Sequence, residues 1–219
     1  MTISDTLKKV QELNISDPDE DRPYDHLYKA AALCEEAIQD LRAGDMDAEL
    51  LHVLLARRGL TLLETDLLAD GQASLEEALP WLEANLTNSS SGAPECVAPA
   101  VDDRQGPSLL LECYNAFGAL QSSRSEFDAA LAWLEKAEAL YKRIDKSSAP
   151  TSTLAGVETQ HTRTLFYFAQ VYAHAGCKER SAEYCAATLR RQLESGEGSR
   201  KLESGPGRLT YVDMCRHQA

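Results

Sequence analysis

Apolar residues recur at three- and four-residue spacing through most of the first 194 positions, in blocks separated by polar, glycine- or proline-bearing breaks. That spacing gathers the apolar side chains of each block onto one stripe, so each block predicts an amphipathic α-helix that packs on one side. Residues 4–14 predict a short helix with Ser4 or Asp5 at its start. Tyr24 to Leu41 predicts a second, with Leu27, Ala31, Cys34, Ile38 and Leu41 in phase and a stop at Ala43-Gly44. Asp45 or Asp47 can cap the next helix, which carries Leu50, Leu54, Leu55, Gly59 and Leu62 and runs to about Leu68, where Asp70-Gly71 ends it. Ser74, with Glu77 three residues on, reads as a capping box for a further helix, which Pro80 inside it should kink or weaken. Two more helices follow over Ser108–Ser123 and Glu126–Ile144. The last pair lies within His161–Glu194 and is broken at Ala175-Gly176, where glycine tolerates the left-handed conformation that ends a helix.

Pairs of helices joined by short turns make antiparallel hairpins. In the last pair, Phe168, Ala169, Tyr172, Gly176 and Ser181 fall near the positions where a tetratricopeptide (TPR) repeat places a bulky residue, a small residue, an aromatic, a turn glycine and a small residue. The hexapeptides Ala78-Leu79-Pro80-Trp81-Leu82-Glu83 and Ala130-Leu131-Ala132-Trp133-Leu134-Glu135 share A-L-x-W-L-E at an offset of 52, and Ser181 to Cys185 stands 51 further on. These observations predict an all-α fold, a TPR-like α-solenoid of stacked antiparallel hairpins with long inter-repeat loops. The expected organisation is an N-terminal helix and acidic linker over 1–22, a helical domain over 23–194 with loops at about 86–107 and 146–157, and a Gly- and Ser-rich disordered tail over 195–219.

Composition narrows the function. The chain has 22 basic and 35 acidic residues, a formal charge of −13, which opposes non-specific nucleic-acid binding and permits a basic protein partner. The N-terminus lacks the apolar core of a signal peptide, and no apolar run approaches the roughly 20 residues that a membrane span needs. Six scattered cysteines without a secretory signal predict reduced thiols in a cytoplasmic protein. Glu35-Glu36 and Glu76-Glu77 are neighbours that point to different helix faces, so they read as surface charge. His174 and Cys177 have the spacing of two zinc ligands, but two more ligands are needed, and a solvent-facing histidine is the better reading. Asp17, Asp19 and Asp21 alternate as in a calcium loop but lack the required glycine. No phosphate-cradling, dinucleotide, zinc-hydrolase or paired CxxC motif is present. The chain is therefore expected to have no catalytic site, no metal site and no cofactor.

At the last hairpin the resemblance becomes specific. Thr164 to His174 contains FAQVYxH, Ala182 to Cys185 contains AxYC, and Thr188 to Glu194 is TLxRQLE. With Leu134-Glu135, Glu138 to Tyr141 and Gly118, these resemble the KIF-binding (kinesin-binding) protein family. The likeness is clear from about Leu54 to Glu194 and weak before that. It implies a cytoplasmic, cytoskeleton-associated solenoid that binds kinesin motor domains and modulates their microtubule contact, linked to axonal microtubule organisation, axon outgrowth and mitochondrial transport. It further implies that the chain corresponds to the N-terminal third of such a protein, with a tail after Glu194 that does not match. By the same resemblance, polar side chains touching the motor fall at Tyr167, Gln170 and Gln192. The competing reading is a TPR co-chaperone that grips a terminal carboxylate. Asn115 is available for such a clamp, but the accompanying basic residues are absent.

Overall fold

The apolar stripes become helices at nearly the expected places. The structure is a computed structural model and describes residues 3–17, 19–44, 47–86, 106–144 and 151–194. In chain order the helices are α1 (Ile3–Asn14), α2 (Asp25–Ala43), α3 (Ala48–Leu63), α4 (Leu68–Leu86), α5 (Gly106–Ser123), α6 (Phe127–Arg143), α7 (Thr151–His174) and α8 (Lys178–Glu194). No strand occurs among the described residues, so the all-α expectation holds there. The chain divides into two compact units, Met1–Cys113 and Tyr114–Ala219, with the boundary inside α5.

In the first unit α1 packs on α2, α2 on α3 and α3 on α4. Sequence reasoning grouped α1 with the acidic linker, yet Val10 is 1% exposed and Asn14 Nδ2 donates to Thr61 Oγ1 of α3 at 3.0 Å. Leu54, Leu75 and Leu82 are fully buried, and burying each such side chain contributes about 1.5–3 kcal/mol. Of the two offered caps, Asp47 is described and does cap α3: its carboxylate accepts from Leu50 N at 3.1 Å.

The third predicted boundary is wrong. Helix α3 ends at Leu63, not near Leu68, and Thr65 forms the turn by donating to Leu62 O and accepting from Leu67 N. Asp70-Gly71 therefore ends nothing, since both residues lie in α4. Nor is Ser74 a cap: it is buried in α4 and its hydroxyl donates to Leu55 O across the interface at 2.9 Å. The glycine read as a stop is a packing device. A Cβ on Gly59 would stand 2.9 Å from Gly71 O and 2.7 Å from Leu75 Cγ, so bare backbone is what lets α3 and α4 approach. Helix α4 continues through Pro80, whose exposed position lets water meet the carbonyl its missing N–H leaves free.

The second unit packs α6 on α7 and α7 on α8. Helix α7 ends as expected at Gly176, where φ is +78°. Cys177 N donates to Tyr172 O at 2.8 Å and Gly176 N to Ala173 O at 3.1 Å, the paired bonds of a Schellman terminus. Helix α5 ends the same way with Ser125 in the left-handed place, at φ 63°. The expected loop over 146–157 is shorter at its far end, because 151–157 belong to α7 and Val157 is fully buried. Most of the other expected loop, 87–105, and the tail 195–219 lie outside the described residues.

The hexapeptide match does not mark equivalent positions. Gly118 meets Leu134 as Gly59 meets Leu75, each pair 16 residues apart, so by this contact Leu75 corresponds to Leu134. Trp81 therefore lies about two helical turns beyond the place that Trp133 takes. Trp81 stacks on His52, with ring centroids 5.1 Å apart, whereas Trp133 stacks on Phe117 at 4.6 Å.

Candidate functional site

The hairpin singled out by its sequence is α7–α8 of the second unit. Three stripes of α7 have different partners. Glu158, Thr162 and Ala169 face α8: Arg191 Nε donates to Thr162 Oγ1 at 3.4 Å, and Ser181 Oγ donates to Ala169 O at 2.9 Å. Gln160 and Thr164 face α5: Asn115 Nδ2 donates to Gln160 O at 3.0 Å and its Oδ1 accepts from Thr164 Oγ1 at 2.8 Å. His161 and Phe168 face α6, where Phe168, Val171 and Tyr172 join Ala130 and Leu134 in one buried cluster.

Helix α8 has little apolar surface to bury, and its buried residues are Ser181 and Thr188. It is held instead by aromatic and polar contacts. Tyr184 stacks on Phe168 and Tyr172, with centroids 4.7 and 5.6 Å away. Arg180 donates to Tyr172 OH at 3.0 Å. At the far end, Arg191 pairs with Glu158 and donates to Tyr141 OH at 3.1 Å. Tyr141 OH lies 2.9 and 3.0 Å from the Glu158 oxygens and can donate to one of them. The Tyr141 ring lies flat on His161 with centroids 3.5 Å apart, and buried His161 Nε2 donates to Glu138 at 2.6 Å. That bond, helped by Lys142, holds the Glu138 carboxyl below its usual range. Sequence reasoning missed this network. Its trace is the pair Glu138/Tyr141 and the pair Glu158/His161, each three apart and so on one helix face.

The arrangement binds α6, α7 and α8 together. Among the described residues no three metal-ligating side chains converge. The described helices include none long and apolar enough to cross a membrane.

Comparison with known proteins places this hairpin in context. The chain is 32% identical over 200 residues to the KIF-binding protein of Gallus gallus, covering 80% of this chain and 31% of that protein. It is 36% identical over 105 residues to the KIF-binding protein of Homo sapiens, covering 40% of this chain and 17% of that one. It is 29% identical over 170 residues to that of Xenopus tropicalis, covering 69% and 25%. The chain belongs to the KIF-binding protein family. It spans about a third or less of the length of these curated relatives. No family model matches the chain, and no solved structure matches it significantly.

The three positions carried over from the KIF-binding resemblance sit on this hairpin but not on one stripe. Tyr167 and Gln170 are half-buried, a turn apart on α7, away from the side that meets α8. Tyr167 packs at the margin of the buried aromatic cluster and its ring meets Phe166 at 5.9 Å. Gln192, also half-buried, follows Thr188 by one turn and so continues the side of α8 that faces α7. Asn115, the residue offered for a carboxylate clamp, is 3% exposed and spends its amide on Gln160 and Thr164, so it is unavailable to a ligand. His174 and Cys177 are exposed at the end of α7, and the His174 ring lies 6.4 Å from Phe127.

Proposed function

We propose that this chain is a non-enzymatic, kinesin-binding segment whose α7–α8 hairpin contacts the motor domain through Tyr167, Gln170 and Gln192. The observation that carries the proposal is the similarity to the Gallus gallus KIF-binding protein across 80% of the chain. The charge supports it: a motor surface that grips acidic tubulin is basic, and this chain carries a formal −13. In this reading the hairpins are TPR-like repeats of a cytoplasmic, cytoskeleton-associated regulator. Motor binding competes with the microtubule, and the consequences are axonal microtubule organisation, axon outgrowth and mitochondrial transport.

The test is titration of purified chain into kinesin motor domain, followed by calorimetry and by microtubule-stimulated ATPase. Binding with loss of stimulation is expected. Gln170→Ala and Gln192→Ala should each weaken binding by about 5- to 30-fold, the effect of removing a contact worth about 1–2 kcal/mol, while far-ultraviolet circular dichroism stays unchanged. No binding by the parent chain refutes the partner. Unchanged affinity in both variants removes those side chains from the contact.

A further inference from the structure

The first unit carries a second surface, away from α7–α8 in sequence and in a separate compact unit. Helices α2 and α4 both pack on α3, and long side chains bridge the space between them. At one end the Tyr28 hydroxyl donates to Asp66, and at the other Arg42 Nη2 meets Glu77 Oε1 at 2.5 Å. Between these bridges lies a cleft of about 240 Å³. Ile38, Leu55 and Ala73 line it with carbon, beside buried Ser74. Its wall carries Glu35, Arg58 and Asp70.

The charges there are unbalanced. Arg42 is taken by Glu77, and Arg58 Nε lies 2.9 Å from Glu35, close enough for an ion pair though poorly aligned for a hydrogen bond. Asp70 is exposed, and the two arginines that line the cleft with it pair with Glu77 and Glu35 instead. A negative charge beside that carbon lining fits a lysine or arginine, whose aliphatic stem covers carbon while its head meets the carboxylate.

A second observation lies beside the cleft. Tyr24 is the N-cap of α2 and Tyr28 stands one turn on, and Tyr28 donates to Asp66, which directly precedes Leu67 and Leu68 in the chain. Tyr24, Tyr28, Leu67 and Leu68 are exposed, at 48%, 38%, 39% and 39%, and they make up four of the six large apolar residues that the described chain leaves open to water. Isolated exposed apolar residues are ordinary, but Tyr28 meets Asp66, Leu67 and Leu68 follow directly, and Asp70 stands four residues on from Asp66, so exposed apolar and acidic side chains come together at this end of α4. We propose that the α2–α4 cleft and this patch together dock a basic amphipathic helix of a partner protein. Its apolar side chains lie on Tyr24, Leu67 and Leu68, and a cationic side chain enters the cleft toward Asp70. The surface works independently of the α7–α8 hairpin and stands or falls separately from motor binding.

The probe is a short fluorescein-labelled helical peptide with leucine and lysine at helix spacing, alongside its glutamate-for-lysine counterpart, followed by anisotropy with the full chain. The lysine peptide should bind and the glutamate peptide should not. Asp70→Asn, and separately Leu67→Ser with Leu68→Ser, should each weaken binding about tenfold, a change of about 1.4 kcal/mol. Glu183→Lys, an exposed position on α8, serves as the control for net charge and should leave affinity unchanged. These positions are exposed and circular dichroism checks each fold. The proposal is overturned if Glu183→Lys weakens binding as much as Asp70→Asn, if the leucine variant keeps full affinity, or if the glutamate peptide binds equally well.

Discussion

The tightest test of the first unit is Gly59→Ala. Alanine is favoured over glycine inside an exposed helix by about 0.8–1 kcal/mol, so on propensity alone the change should stabilise α3. The structure reverses that sign. The new Cβ would stand 2.7 Å from Leu75 Cγ, 2.9 Å from Leu75 Cδ2 and 2.9 Å from Gly71 O. Leu75 is fully buried and the third atom is backbone, so no flexible side-chain end can turn aside. Forcing a carbon into a packed interface costs about 1–3 kcal/mol in general, and the backbone contact puts this site toward the upper figure. Subtracting the propensity gain leaves a net loss of roughly 1–2 kcal/mol, equivalent to about 2–8 °C in midpoint for a chain of this size. Thermal and urea unfolding of the full chain by circular dichroism reads the effect. Gly44→Ala is the control, because its nearest obstacle is Asp40 O at 3.4 Å, an ordinary contact. If Gly59→Ala is as stable as the parent, or more so, the close α3–α4 approach is wrong.

Three other outcomes follow from the second unit. Ser125 holds φ at 63°, a conformation costing a residue with Cβ about 1–2 kcal/mol, so Ser125→Gly should raise stability by roughly 0.5–1 kcal/mol after glycine's greater unfolded-chain freedom is subtracted; a loss in urea unfolding would contradict the turn. Asn115→Ala removes two buried hydrogen bonds, from Asn115 Nδ2 to Gln160 O and from Thr164 Oγ1 to Asn115 Oδ1, while Thr164 Oγ1 keeps Gln160 O as an acceptor at 3.1 Å. At about 0.5–1.5 kcal/mol each the loss should be about 1–3 kcal/mol, read as an earlier urea midpoint, and an unchanged midpoint would show that the amide carries no weight. The His161 bond lowers the Glu138 pKa from its ordinary 4.5, so that contribution is present above the ordinary value and is lost as pH falls through the lower folded one. Glu138→Gln should therefore flatten the acid-side decline in stability between about pH 5 and pH 3, and an identical slope in both proteins would refute the linkage.

Periodicity was enough for the helices because an apolar stripe at 3.6-residue spacing has one stable use, burial along a helix face. The stops at Ala43-Gly44 and Gly176 were equally legible, and at Gly176 the φ of +78° is a local backbone need that glycine meets. Asp70-Gly71 carries the same local signature and was misread, because Gly71 answers to a helix 12 residues earlier in the chain rather than to its own. The A-L-x-W-L-E pair misled in a similar way: like stripes recur every two turns, and only the contacts of Gly59 and Gly118 fix which turn corresponds to which. The candidate contacts Tyr167, Gln170 and Gln192 came from resemblance, and no spacing rule would have chosen them.

Taken alone, the sequence determined that this chain is helical, where most helices start and end, that it is strongly acidic, and which family it resembles, because those properties are local or additive along the chain. Only the tertiary structure decided that Ser74 bonds across an interface, that Asn115 is consumed inside the second unit, that Tyr141, Glu158, His161 and Arg191 latch α6, α7 and α8, and that Tyr28 reaches Asp66 beside an open cleft. Each of those contacts joins residues far apart in the chain, and a one-dimensional pattern contains no distance between them.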